Sequence, residues 1–180
     1  MRFSLILAGW GAIAPVVSPA LGQIQPDTTL GVEQSIVTPN VEIKGLPADL
    51  IEGGAIRDTN LFHSFLDFNV GEGGRVYFAN PAGIETIFSR VTGNDVSDIL
   101  GTLGVNGQAS LYLLNPNGII FGEGARLDVP GSFVGTTADA VVFENGFKFS
   151  ASHPETPPLL TVNVTPGLQY GKNPANASIT

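Results

Sequence analysis

Short apolar segments separated by Gly, Asn, Asp or Pro make up the chain from residue 75 onward. This pattern predicts strands at residues 76–79, 84–88, 103–105, 110–114, 119–121, 126–129, 132–134, 140–143 and 147–150. Sandwiches and barrels use longer strands that alternate apolar and polar side chains. A solenoid fits these short strands better, because each coil needs only two or three of them and stacked coils bury one continuous apolar column.

The clearest strand–turn–strand unit has four polar or turn-forming residues between two apolar runs. Asn115 and Asn117 are turn formers whose side chains can bond nearby main-chain groups. We expect Gly118 to adopt a positive φ and Ile119 to face the core. A weaker copy lies 35 residues upstream and reads Asn80, Pro81, Ala82, Gly83, Ile84.

The pattern before residue 75 is less regular. Residues 41–44 alternate like a strand, and residues 46–60 read as a loop with short strand pieces. Phe62, Phe65 and Phe68 fit either one helical face or a strand broken by kinks. Residues 95–100 are the only segment with the caps and spacing of a helical turn. Because an open solenoid end needs covering, we predict a cap over about 23–75 and coils over about 76–180.

The first 22 residues have the form of a secretory signal peptide. Arg2 gives a positive start, residues 3–17 are apolar, and Ala20-Leu21-Gly22 is a small-x-small cleavage site. The apolar run is shorter than the ~20 residues that span a bilayer and contains Pro15. We therefore expect residues 1–22 to be removed and a soluble, exported chain to begin at Gln23.

Composition narrows the class of protein further. Charged residues are only 13% of the chain and hydrophobic residues 43%, which excludes a disordered protein. The formal net charge of −8 and the lack of Lys/Arg clusters argue against nucleic acid as a partner. There is no Cys, so disulfides and thiolate metal sites are excluded.

The titratable residues do not form an obvious catalytic or metal-binding set. His63 and His153 are far apart in the sequence, and the pairs Asp95/Asp98 and Asp27/Glu33 are dispersed. No dense acidic calcium repeat appears. We expect no catalytic residue, no cofactor and no metal.

The motif and its flanks carry a family resemblance. Asn115, Pro116, Asn117, Gly118 and Ile119, together with residues 105–107, 121–138 and the upstream stretches 68–70 and 76–84, resemble the N-terminal secretion (TPS) domain of two-partner secretion exoproteins of the filamentous haemagglutinin type. That family has a second motif, Asn-Pro-Asn-Leu. The nearest segment here is 80–83, which departs from it in the last two residues.

The resemblance implies a fold, a route and partners. The fold is a right-handed parallel β-helix with an N-terminal cap. General secretory machinery delivers such chains to the periplasm of a Gram-negative bacterium, where an outer-membrane β-barrel transporter with periplasmic receptor domains recognises them. The implied function is a non-enzymatic secretion and adhesion module that nucleates β-helix folding at the cell surface. Binding to a host or surface glycan would belong to a C-terminal region missing from this chain.

Two other functions stay open from the residues alone. A secreted β-helical enzyme acting on polysaccharides would need three carboxylates converging with an Arg in a groove. The basic residues here are few and widely spaced, which disfavours it. The other alternative is a passive surface-matrix protein.

Overall fold

A computed structural model describes residues 24–159, 167–171 and 177–180. The predicted signal peptide lies outside the described residues. Apart from one 3-10 helix at Gly31–Glu33, the regular structure in this part of the chain is β-strand. The strands are β1 Ile24–Pro26, β2 Ser35–Ile43, β3 Leu46–Gly53, β4 Ala55–Arg57, β5 Asn60–Phe68, β6 Arg75–Ala79, β7 Thr86–Val91, β8 Ser97–Ile99, β9 Thr102–Asn106, β10 Ser110–Leu114, β11 Ile119–Phe121, β12 Arg126–Asp128, β13 Phe133–Thr136, β14 Ala140–Val142, β15 Lys148–Ser150 and β16 Gly167–Gln169.

The chain winds into about four stacked coils with three faces. The first face stacks β3, β6, β9 and β12 in parallel. The second face stacks β5, β7, β10 and β13 in parallel. The third face stacks Val70, β8, β11 and Ile179 in parallel. Coil 1 is therefore β3, β5 and Val70, coil 2 is β6 to β8, coil 3 is β9 to β11, and coil 4 is β12, β13 and Ile179. The predicted parallel β-helix is confirmed.

Apolar columns fill the interior of the coils. Parallel, in-register pairing places equivalent side chains of successive coils directly above one another. Burying each column removes apolar surface from water, at about 25 cal/mol per Å². The second face contributes the column Leu61, Ile87, Leu111 and Phe133, and the first face contributes Ile51, Phe78 and Val105.

Antiparallel strands cover the N-terminal end of the stack. β1 and β4 pair with β5, and β2 pairs with β3. Their pairing satisfies main-chain groups that a parallel stack would otherwise leave at an open edge. The parallel faces begin with β3 and β5, and the boundaries of cap and coils near residue 75 stay predictions.

A three-stranded antiparallel sheet, which we call the outer sheet, packs against the outside of the second face. It consists of β14 between β15 and β16. Phe62 and Phe88 point outward from successive coils with ring centroids 5.3 Å apart. Phe149 of the outer sheet lies 4.9 Å from Phe62. After the outer sheet the chain returns to the third face at Ile179. In chain order the outer sheet is therefore an insertion between strand β13 of the second face and Ile179 of the third face.

One local prediction is wrong. The predicted helical turn at residues 95–100 contains strand β8, because Ser97 and Ile99 are buried and the segment pairs with β11. The sequence predicts a loop with short strand pieces at residues 46–60, and the structure places β3 and β4 there, with β3 longer than expected. Pro47 is tolerated in β3 because the parallel partner β6 pairs only with residues 49–51.

The repeated Phe residues of 62–68 lie on one kinked strand. Pairing of β1 with β5 skips Leu66, which marks a bulge. Phe62 faces the outer sheet, whereas Phe65 and Phe68 both lie in the coil interior. The kinked-strand interpretation is therefore confirmed, and the helical one is wrong.

The first face depends on a glycine under an aromatic ring. Tyr77 lies across Gly104 of the next coil, and its hydroxyl donates to Asp128 Oδ2 at 2.7 Å. A Cβ at Gly104 would lie 2.5 Å from the Tyr77 ring and 2.8 Å from the Asp128 carbonyl. Gly104→Ala is expected to lower the free energy of unfolding by about 1–3 kcal/mol, measured by urea denaturation. Gly167→Ala, with only a 3.8 Å contact, is the control, and equal effects would contradict the role of Gly104.

Candidate functional site

The Asn115–Ile119 segment forms the corner between the second and third faces of coil 3. Strand β10 ends at Leu114 and β11 begins at Ile119. The Gly118 N–H donates to the Asn115 carbonyl at 3.1 Å, which closes a β-turn. Gly118 has φ +133°, and a Cβ there would lie 2.9 Å from the Ser178 carbonyl. Ile119 is fully buried in the coil interior. The expected conformation of Gly118 and placement of Ile119 are confirmed.

Asn115 joins this corner to the coils on both sides. The residue is fully buried, and its Nδ2 donates to the Asp95 carbonyl at 2.9 Å and to Ser97 Oγ at 3.0 Å, both in coil 2. Its Oδ1 accepts the Asn117 N–H at 2.9 Å. Its own N–H donates to the Thr136 carbonyl of coil 4 at 3.0 Å. The side chain thus satisfies main-chain groups at a corner where the strand ladder is interrupted.

Asn117 and Pro116 lie at the surface of the same corner. Asn117 Nδ2 donates to the Gly93 carbonyl of coil 2 at 2.9 Å. Both residues line a cleft of about 1060 Å³ between this corner and the outer sheet. Other residues lining the cleft are Asn94, Asp139, Phe147, Lys148, His153 and Glu155. Three residues of the motif are therefore buried, and the other two border an open, polar surface.

The Asn80–Ile84 segment occupies a different corner. It lies between β6 and β7, where the first face meets the second face in coil 2. Asn80 Oδ1 accepts the N–H groups of Gln108 at 2.8 Å and Ala109 at 3.0 Å, both in coil 3. The two turns are therefore not successive copies of one position. What they share is an Asn amide that bonds main-chain groups of a neighbouring coil.

Asn69 is the counterpart of Asn115, and sequence reasoning included it only in the stretch 68–70 of the family resemblance, without a role. It lies at the same corner in coil 1, and its Oδ1 accepts the Asp98 N–H of coil 2 at 2.8 Å. The only sequence signal is an Asn directly after the apolar end of β5, followed by Val70. Asn at this corner is thus used in coils 1 and 3.

The sequence model of the TPS secretion domain matches residues 22–180, a range that includes all the described strands of the coils and of the outer sheet. The chain belongs to the TPS secretion domain family. Two heme/hemopexin-binding proteins of Haemophilus influenzae are similar to this TPS domain. One is 39% identical over 79 residues, which is 44% of this chain and 8% of the relative. The other is 39% identical over 72 residues, which is 40% of this chain and 7% of the relative. No solved structure matches the chain.

Membership defines the general role of the TPS domain. It is a secretion-targeting module. Its family interacts with an outer-membrane transporter, and exoproteins of this family are secreted by Gram-negative bacteria. In the described part of the chain, no helix has both the length and the apolar character needed to span a bilayer.

The two histidines of the TPS domain are far apart and differ in environment. His63 is fully buried in coil 1, with Nδ1 3.0 Å from Ser35 Oγ. Burial lowers the pKa of His63 from 6.5 to about 3. His153 is exposed beside the outer sheet and contacts Ser152. The structure therefore does not bring them together.

The carboxylates singled out from sequence also have separate positions. Burial raises the pKa of Asp27, but hydrogen bonds from Thr92, Thr29 and Ser64 outweigh it and hold that pKa below its usual value. The Arg57 guanidinium lowers the pKa of Glu33 by hydrogen bonding. Among the described residues, no group of three His, Cys, Asp or Glu could hold a metal ion. Among the residues that the structure describes, the carboxylates that line the cleft are Asp139 and Glu155.

Proposed function

We propose that this TPS domain is a non-enzymatic export module that targets its exoprotein to an outer-membrane β-barrel transporter and then folds at the cell surface. The observation that carries the proposal is the Asn115–Ile119 corner, which belongs to a family-matched domain and ties three successive coils together. The transporter's periplasmic receptor domains are the partner, and general secretory machinery delivers the chain to them.

Late completion of the coils supports this order of events. The Ile119 N–H donates to Ser178, and the Asn115 N–H donates to Thr136, so the corner closes only when later residues are present. Parallel coils depend on non-local pairing, which folds slowly. An incompletely folded chain can be threaded through the pore of a transporter. Completing the coils outside the cell would then disfavour movement of the chain back through that pore.

Unpaired strand edges support a mode of recognition by the transporter. Within the described residues, β12 pairs only with β9, and β13 pairs only with β10. An extended chain can add to such an edge through main-chain hydrogen bonds, with little demand on sequence. We propose that an extended segment of the receptor domains adds to the edge of β12 or β13 in this way.

Adhesion is assigned to parts of the exoprotein other than this domain. The relatives are named for binding heme and hemopexin, and the matched segments span less than a tenth of their lengths. We propose that this domain supplies export, and that ligand or glycan binding belongs to the rest of such an exoprotein.

Export by a dedicated transporter is tested with a reporter. Residues 1–180 are fused to a reporter enzyme and expressed in a Gram-negative host with or without the cognate transporter gene. We expect the reporter in the medium only when the transporter is present. The control is residues 1–22 fused to the same reporter, which should stay in the periplasm under both conditions. Equal release with and without the transporter would contradict the proposed function.

A further inference from the structure

An extended segment, residues 155–158, crosses the outside of the N-terminal coils. We call Glu155-Thr156-Pro157-Pro158 the strap. It belongs to no strand, and its side chains are exposed except that of Pro157, which is buried. The side-chain donors that hold it come from residues 57 and 90, far away in the sequence. The strap therefore docks as a short extended peptide would.

Arg57 is one holder of the strap. Its guanidinium is almost fully buried and donates from Nε and Nη2 to the Pro157 carbonyl at 3.0 and 2.8 Å. Nε also donates to the Pro158 carbonyl at 2.8 Å. On its other side, Arg57 makes a two-pronged ion pair with Glu33 at 2.9 and 2.7 Å, which fixes the plane of the guanidinium.

Arg90 is the second holder. It is fully buried, and its Nη1 donates to the Glu155 carbonyl at 3.1 Å. Its Nε and Nη2 donate to the hydroxyls of Ser64 and Thr29 at 2.9 and 2.8 Å. The guanidinium lies 4.3 Å from the centre of the Phe149 ring. This arrangement keeps one guanidinium edge directed at the strap.

The groove recognises the main chain of the strap rather than most of its side chains. Within the strap, the acceptors of both arginines are main-chain carbonyls, and the Thr156 hydroxyl donates to the Thr29 carbonyl at 2.8 Å. Pro157 is the one buried strap side chain, and Pro154-x-x-Pro157 has the spacing of peptides that bind as an extended proline helix. The chemistry fits any extended peptide that offers carbonyls and one proline.

Chain order leaves this groove open before the strap arrives. Glu33, Arg57, Thr29 and Arg90 all precede residue 91, whereas the strap begins at residue 155. Without the strap, the guanidinium N–H groups that face it lose their protein acceptors and must be hydrated instead. An extended segment that offers carbonyls can bind at the same positions.

We propose that this groove is a binding site for an extended, proline-containing peptide, occupied by the domain's own strap after folding and by an extended segment of the transporter before it. Arrival of the strap then releases the partner. The identity of the partner rests on the proposed function, whereas the groove itself can be tested without any transporter.

The test uses the purified chain and a labelled synthetic peptide with the sequence of residues 152–159. Pro157→Lys puts an ammonium group at the one buried side-chain position of the strap and should free the strap. A glutamate-specific protease should then cleave after Glu155 at least tenfold faster than in the wild-type chain. The peptide should bind Pro157→Lys at least tenfold more tightly than the wild-type chain, whose groove is filled. Adding Arg57→Gln should abolish binding, and adding Arg126→Gln, at an exposed site on β12, should not.

Each contrary result overturns the proposal. No peptide binding to a variant with a freed strap would show that the groove is not a peptide site. Unchanged cleavage after Glu155 in Pro157→Lys would show that the arginines do not hold the strap. Pro157→Gly is a second variant, which removes the buried ring but adds no charge. Its rate of cleavage after Glu155 and its affinity for the peptide must both lie between those of the wild type and of Pro157→Lys. Circular dichroism verifies that each variant is folded. A failure here leaves the reporter export result unaffected, so the two proposals fail separately.

Discussion

Replacing Asn115 by Ala lowers the free energy of unfolding by about 2–4 kcal/mol. The substitution removes one amide and leaves the Asp95 carbonyl, the Ser97 hydroxyl and the Asn117 N–H without their hydrogen-bond partner. Each buried polar group left unpaired costs about 1–3 kcal/mol. Part of that cost is relieved where water reaches the corner, which keeps the total below the simple sum. Urea denaturation of residues 23–180 measures the change.

Asn145 provides the matched control for Asn115. It is an exposed turn Asn whose Oδ1 accepts one hydrogen bond, from the Phe147 N–H at 3.0 Å. Because water can replace this acceptor, Asn145→Ala should cost less than about 1 kcal/mol. If the two variants lose the same stability, Asn115 does not hold the coils together.

Acid destabilises the domain through His63, well above the pH at which most carboxylates titrate. The folded-state pKa of about 3 lies below the unfolded value of 6.5. Between these two pH values the unfolded chain therefore binds one more proton than the folded chain. The contribution of neutral His63 to the free energy of unfolding is complete above pH 6.5 and declines as the pH falls. The decline is about 1.4 kcal/mol per pH unit, or about 3 kcal/mol between pH 6.5 and 4.5.

Substitution separates this effect from other titrations. His63→Leu should make the free energy of unfolding nearly independent of pH between 6.5 and 4.5, whereas His153→Leu should keep the wild-type slope. The carboxyl groups of Asp27, Glu33 and Asp128 have lowered pKa values. Their contribution is present above their unfolded pKa values and is lost as pH falls below about 4. A wild-type slope that persists in His63→Leu would assign the acid sensitivity to another group.

The strands after residue 75 were predictable because their information is local. Each is a short apolar run between turn formers, and Gly118 and Ile119 follow from the chemistry of one turn. Segment 95–100 was not predictable in this way. Its caps suit a helix, and only pairing with Val70 and β11, which lie outside the segment, makes it a strand.

The functions of the polar corner residues also depend on distant partners. Nothing near Asn115 in the sequence indicates that its amide bonds residues 95 and 97. The same holds for Arg57 and Arg90, whose strap contacts span 100 and 65 residues. Sequence therefore predicted which residues form turns, whereas the stacking order of the coils decides what those turns hold.

The two Asn-Pro turns illustrate this difference. Their similar sequences suggest a repeat, but they lie at different corners of different coils. Asn80 contacts coil 3 through its oxygen, and Asn115 contacts coil 2 through its nitrogen. The common requirement is an amide at a corner where the strand ladder is interrupted, rather than a repeated unit of fixed length.

The central claim is that the Asn115–Ile119 corner serves export by completing the β-helix outside the cell. The most direct test measures transporter-dependent release of residues 1–180 carrying Asn115→Ala, Asn117→Ala or Asn145→Ala, alongside the unfolding free energy of each purified variant. The account predicts that release falls in the same order as stability, with Asn115→Ala lowest and Asn145→Ala close to wild type. Wild-type release of a destabilised Asn115→Ala chain would contradict it.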